Sequence, residues 1–160
     1  MSKSTVKKMS RPSANNASKV MVDALAGVLG DTFQLFVNTQ TCHWNVVGPN
    51  FVALHELFGK QYEELHAAVD ELAERIRSIG HPAPVGVGAL KALSSQPDGL
   101  GKGAAEDMVA SLIEAHEKLI AGLVKSIEVA DEVDDDGTED LLIGRLRAHQ
   151  KMLWMLKSSL

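Results

Sequence analysis

Apolar residues in this chain recur at steps of three and four. From Val20 the series runs through Met21, Ala24, Leu25, Val28, Leu29, Phe33, Phe36 and Val37, with Thr32 and Gln40 in the same frame. That period lays one apolar stripe along an α-helix. It predicts a first helix ending near Val46 or Val47, where Gly48 and Pro49 stop it. Asn50 is placed to cap a second helix, whose apolar face runs from Phe51 and Leu54 through Leu65, Leu72 and Ile76 to Gly80. Residues 80–103 are rich in Gly and Pro, with room for a short helix at "GALKALSS". A third helix carries Met108, Leu112, Leu119, Leu123 and Ile127. A fourth carries Leu141, Leu142, Leu146, Met152 and Leu156, its start overlapping Asp134 to Asp136. No strand-like alternation and no internal repeat is present.

Connection lengths then set the topology. The first and last connections are short, so each joins antiparallel neighbours. The helices flanking the middle connection are about 45 Å long if they hold about 30 residues. A largely extended linker over residues 80–103 can cover that span, so the second and third helices run parallel. An all-α, ferritin-like four-helix bundle with one long crossover containing a short helix is the expected fold.

Charge divides the chain. Residues 1–22 hold Lys3, Lys7, Lys8, Arg11 and Lys19 and no acid. The remainder carries 11 of the 16 basic groups and all 21 acids, a net charge of −10. Residues 1–17 are therefore expected to form a disordered, Lys-rich arm, and residues 18–160 the bundle. A cationic arm on an anionic body suits a polyanion such as DNA; a solvated tail accounts for the count equally well. The single cysteine, Cys42, cannot form an internal disulfide, which suits a reducing, cytoplasmic setting. No apolar run approaches the ~20 residues that cross a bilayer, so no membrane association is expected.

The candidate chemistry lies around the Gly-Pro junction and on the second helix. His43 ends the first helix and His55 begins the second. With His55 at zero on a helical wheel, His66 falls at about 20°, Asp70 at about 60° and Glu74 at about 100°. Histidines with carboxylates on one stripe suit iron, manganese or zinc, although a solvated face gives the same pattern. Asp70 lies about 22 Å along the axis from His55, and Glu74 about 28 Å. One chain cannot bridge that distance. Two copies packed antiparallel about a two-fold near Tyr62 would bring His55 of each close to Asp70 of the other, with His43 joining from the preceding helix. A di-iron site inside the bundle would use two Glu-x-x-His motifs, and this chain has only Glu63 with His66. His81 reads as a loop residue. There is no phosphate loop, CxxC pair or HExxH motif.

"HWNVVGPNFVALHELF" followed by "DELAER" resembles the Dps family, the DNA-binding proteins of starved cells or mini-ferritins. The acidic turn "DDDGTEDLL" and the closing "MLWMLKSSL" extend the likeness over about residues 18–158. The resemblance implies a hollow dodecamer with ferroxidase centres at two-fold interfaces. His43 and His55 would come from one subunit and Asp70 and Glu74 from its partner. Iron is the metal: Fe(II) would be oxidised, with hydrogen peroxide favoured over dioxygen, and stored as ferric mineral. Trp44, beside His43, reads by itself as a large anchor at a helix end or as an indole that could give up an electron and quench radicals. Asp135, Asp136 and Asp140 would line a three-fold pore that guides Fe(II) inward, although a solvated helix junction gives the same run of acids. Mobile arms bearing Lys3, Lys7, Lys8, Arg11 and Lys19 would bind DNA without sequence preference, in a cytoplasmic, nucleoid-associated protein. One departure stands out: Gly59 occupies a position, four residues after the second histidine, where the family usually carries an acid. That opens a second reading, a structural nucleoid-compacting protein with a weakened metal site.

Overall fold

The computed structural model describes residues 14–160, with side chains from residue 17. Residues 1–13, including Lys3, Lys7, Lys8 and Arg11, lie outside the described residues. Five helices follow in order: α1 (Ala14–Asn45), α2 (Phe51–Ser78), α3 (Val87–Leu93), α4 (Ala105–Glu132) and α5 (Asp136–Lys157). The boundary expected at residue 17 thus falls inside α1. The described residues contain no strand.

The long helices form a square. α1 packs against α2 and α4, α5 packs against α4 and against α2 more loosely, and α1 and α5 lie across the diagonal. Residue pairings give the directions. Gln61 and Glu64 meet Met152 and Arg145, whereas Arg75 meets Asp135 and Thr138, so α2 and α5 are antiparallel. His116 meets His149 near mid-helix, and the short turn after Glu132 makes α4 and α5 antiparallel as well. α2 and α4 therefore run the same way, as expected from the crossover length. Leu25, Leu29, Leu35, Phe58, Leu65, Leu72, Leu112, Leu119, Leu123 and Leu142 fill the interior at no more than 1% exposure. They come from all four long helices, so no pair of helices can separate without exposing core.

Helix ends follow local rules. Gly80 has φ of +93° and closes α2 with paired bonds from His81 N to Ile76 O and from Gly80 N to Arg77 O. Asp134, at φ +57°, does the same for α4, with Asp135 N on Ala130 O and Asp134 N on Asp131 O. Asn50 stands at the N-cap position of α2, but its side chain makes no capping bond, contrary to the expectation above.

The crossover is tied to α1. A Cβ at Gly30 would stand 2.7 Å from Leu93 Cβ, so α3 can approach only because this position is bare. Asp31 then accepts from the Ser94 hydroxyl, the Ser95 amide and the Ser95 hydroxyl.

One expectation is corrected. By length and composition Ala17–Asn45 is apolar enough to cross a bilayer. Scattered polar residues interrupt its apolar runs without lowering its average enough to exclude it. Within this fold the segment packs as a core helix, and the buried hydroxyls of Thr32 and Thr39 bond to Val28 O and Leu35 O. Cys42 is fully buried, which pushes its thiol up to about 12, so it packs as a small apolar group.

Candidate metal centre

The Gly48–Pro49 junction turns α1 into α2 within a few residues and sets His43 beside His55. The rings stack with centroids 3.7 Å apart and planes 20° from parallel. Each imidazole is held by the other residue's backbone: His43 Nδ1 donates to His55 O at 2.7 Å, and His55 Nδ1 donates to His43 O at 2.9 Å. A carbonyl oxygen only accepts, so both Nδ1 atoms carry hydrogen. In the neutral rings both Nε2 atoms then hold a free lone pair, and neither has a hydrogen-bond partner among the described residues. This is how a protein prepares imidazoles as metal ligands, with one nitrogen fixing the tautomer and leaving the other for the metal.

The surroundings are aromatic and apolar. Phe51 lies 5.0 Å from the His55 ring, and Tyr62 meets His43 edge-on at 5.1 Å. Gly59 faces the His43 ring. Trp44 is 66% exposed and has no ring contact with either histidine. With Val47, Phe51 and Val52 it forms an exposed apolar patch around the junction.

Asp70 and Glu74 sit further along α2, both exposed. Among the described residues no three His, Cys, Asp or Glu groups come together closely enough to hold a metal ion. A single chain thus offers two prepared imidazoles and, separately, two carboxylates. His66 is exposed with its ring 5.3 Å from Phe36, and His81 Nε2 pairs with the Ser18 hydroxyl at 2.7 Å. Lys19, the one arm cation within the described side chains, is exposed and pairs with Asp23.

The three acids of the α4–α5 turn differ. Asp135 is the N-cap of α5: its carboxylate accepts from Thr138 N and Thr138 Oγ1 and pairs with Arg75. Burial raises its pKa, but the Thr138 bonds and the Arg75 charge outweigh this and hold the carboxyl below its ordinary value. Asp136 and Asp140 are exposed.

Sequence reasoning overlooked a buried polar cluster. His116 and His149 are fully buried, with their Nδ1 atoms 3.1 Å apart. Arg145 grips Glu64 through both terminal nitrogens and places Nη2 3.5 Å from His149 Nε2. Because a guanidinium only donates, His149 accepts at Nε2 and carries its hydrogen at Nδ1, which it donates to His116. Burial, reinforced by the Arg145 charge, lowers His116 to about 4, and burial with the charges of His116 and Arg145 keeps His149 well below its ordinary value. The available signal was that both histidines fall on the apolar faces of their helices.

The Ferritin-like domain family matches residues 22–160. The chain is 34% identical over 143 residues to DNA protection during starvation protein 2 of Bacillus anthracis, covering 89% of this chain and 98% of that one. It is 36% identical over 140 residues to a low temperature-induced protein of Nostoc, covering 86% and 78%. Among solved structures, a Dps protein from Bacillus brevis superposes with a TM-score of 0.86 at 33% identity, covering 89% and 96%. Likeness of that extent, in sequence and in fold, makes this chain a member of the Dps family of ferritin-like proteins.

Proposed function

We propose that this protein is a ferroxidase and iron store. Two copies share each site, Fe(II) is oxidised there with hydrogen peroxide preferred over dioxygen, and ferric mineral collects inside a dodecameric cage. The reading rests above all on the mutual clamp of His43 and His55, which leaves two Nε2 donors free on one chain while Asp70 and Glu74 stand elsewhere on the same rigid helix. A neighbour inverted against α2 supplies the carboxylates, and the apolar patch at Trp44, Val47 and Val52 suits the contact. Removing Fe(II) and peroxide together protects DNA from hydroxyl radicals. Exposed Asp136 and Asp140 give a negative approach for Fe(II). The cationic arm adds sequence-independent DNA binding, and the protein works in the cytoplasm beside the nucleoid.

Complementation tests the shared site. One chain carries His43→Ala and His55→Ala, and the other Asp70→Asn and Glu74→Gln. Each alone should lose rapid peroxide-driven Fe(II) oxidation. Co-assembled, they recover part of it, because one of the two sites in each mixed pair keeps both ligand sets. Absence of recovery in confirmed mixed assemblies contradicts the reading.

The alternative, mainly DNA compaction with a weak metal site, is favoured by one observation, Gly59 in place of an acid. It predicts a DNA gel shift together with iron oxidation no faster than in buffer.

A further inference from the structure

Tyr62 is the chain's only tyrosine. Its ring meets His43 edge-on at 5.1 Å and 70°, and His43 in turn stacks on His55. Phe36 closes the other side of Tyr62 at 6.4 Å. The residue is half-buried on the same face of α2 as His55 and Gly59, and no hydrogen bond ties its phenol down among the described residues. Trp44, which the sequence offers as a helix-end anchor or an electron donor, is largely exposed and makes no ring contact with either imidazole.

Hydrogen peroxide needs two electrons to become water, whereas one Fe(II) gives one. Gly59 sets no carboxylate beside the His43 ring, so under the ferroxidase reading a second ion has one ligand fewer to hold it. A site loaded with one Fe(II) therefore needs another donor, or it releases hydroxyl radical. Electron transfer falls off steeply with distance, and Tyr62 is the oxidisable ring in contact with the ligand pair.

We propose that Tyr62 supplies the second electron; this rests on the ferroxidase reading above. Fe(II) gives one electron. The Tyr62 phenol gives the other with its proton, and solvent gives one more proton. The O–O bond breaks, and the products are Fe(III), two waters and a neutral tyrosyl radical. The next Fe(II) reduces that radical, a solvent proton restores the phenol, and a second Fe(III) forms. Over the cycle one peroxide oxidises two Fe(II), as at a two-iron centre, but in sequence.

The test is freeze-quench electron paramagnetic resonance on assembled protein with ring-deuterated tyrosine, loaded below one Fe(II) per chain and mixed with peroxide. A tyrosyl signal narrowed by deuteration is expected in the wild type and in Trp44→Phe. In Tyr62→Phe, with its fold checked by circular dichroism, the signal is lost and a spin trap reports more hydroxyl radical. Iron oxidation without a tyrosyl signal in the wild type overturns the role of Tyr62 and leaves the ferroxidase reading standing. So does an unchanged spin-trap yield in Tyr62→Phe, and so does loss of the signal in Trp44→Phe. Absence of peroxide-driven oxidation in the wild type overturns both.

Discussion

Gly59 lies against the His43 ring: a Cβ there would stand 3.4 Å from Cε1 and 3.5 Å from Nδ1. Those are ordinary contact distances, so a Cβ fits without displacing the imidazole. Gly59→Asp places a carboxylate beside the two imidazoles and, on the proposed function, is expected to tighten Fe(II) binding roughly tenfold, about 1.4 kcal/mol. Titration calorimetry under anaerobic conditions checks this, and an unchanged isotherm contradicts it. Gly59→Ala adds no ligand but raises helix propensity, for a gain of up to about 1 kcal/mol in denaturant unfolding.

The acids after α4 separate by role. Asp135→Ala removes the α5 cap, which costs about 1 kcal/mol, and takes the ion-pair partner from Arg75, which keeps only its bond to Thr138 Oγ1. The folded carboxyl titrates below its usual value, so its contribution is present above about pH 4 and is lost as pH falls further. Asp136→Asn with Asp140→Asn should leave stability within about 0.5 kcal/mol, since both are exposed, while slowing iron uptake. Thermal melts and stopped-flow uptake on the same proteins distinguish a cap from a pore.

The buried histidines make stability fall with acid. Between about pH 6.5 and about pH 4 the unfolded chain binds a proton at His116 that the folded chain refuses. Stability is therefore flat above pH 6.5 and declines as pH drops through that window, by about 3 kcal/mol for His116. His149 acts in the same direction. Unfolding midpoints measured from pH 7 to pH 4 should slope this way, and His116→Gln should flatten the curve.

Deleting residues 1–13 removes Lys3, Lys7, Lys8 and Arg11 from a body that carries excess acid. A gel shift on duplex DNA should disappear, while iron oxidation continues. The full-length shift should weaken steeply with salt, because phosphate contacts release counterions. A shift that survives the deletion places DNA binding elsewhere.

The helices, the long crossover and the meeting of His43 with His55 were all determined by the sequence alone. Their signals are local: a three-to-four-residue apolar period, a Gly-Pro break, and two histidines only 12 residues apart across a short turn. Rigid-helix geometry likewise separated Asp70 and Glu74 from His55 without any coordinates.

Only tertiary structure decided what these side chains do. The backbone clamp that engages both Nδ1 atoms needs α1 and α2 close together at the junction. Tyr62 meets His43 only through the packing of those helices. His116 and His149 stand 33 residues apart and pair because α4 packs against α5. Asn50 and Asp135 look alike in sequence as caps, yet only Asp135 bonds the helix end. Arg75, from a helix distant in sequence, steadies that carboxylate, and among the described residues no such neighbour bonds the Asn50 side chain. Periodicity is a property of each helix by itself, whereas hydrogen-bond partners depend on how the helices are set against one another.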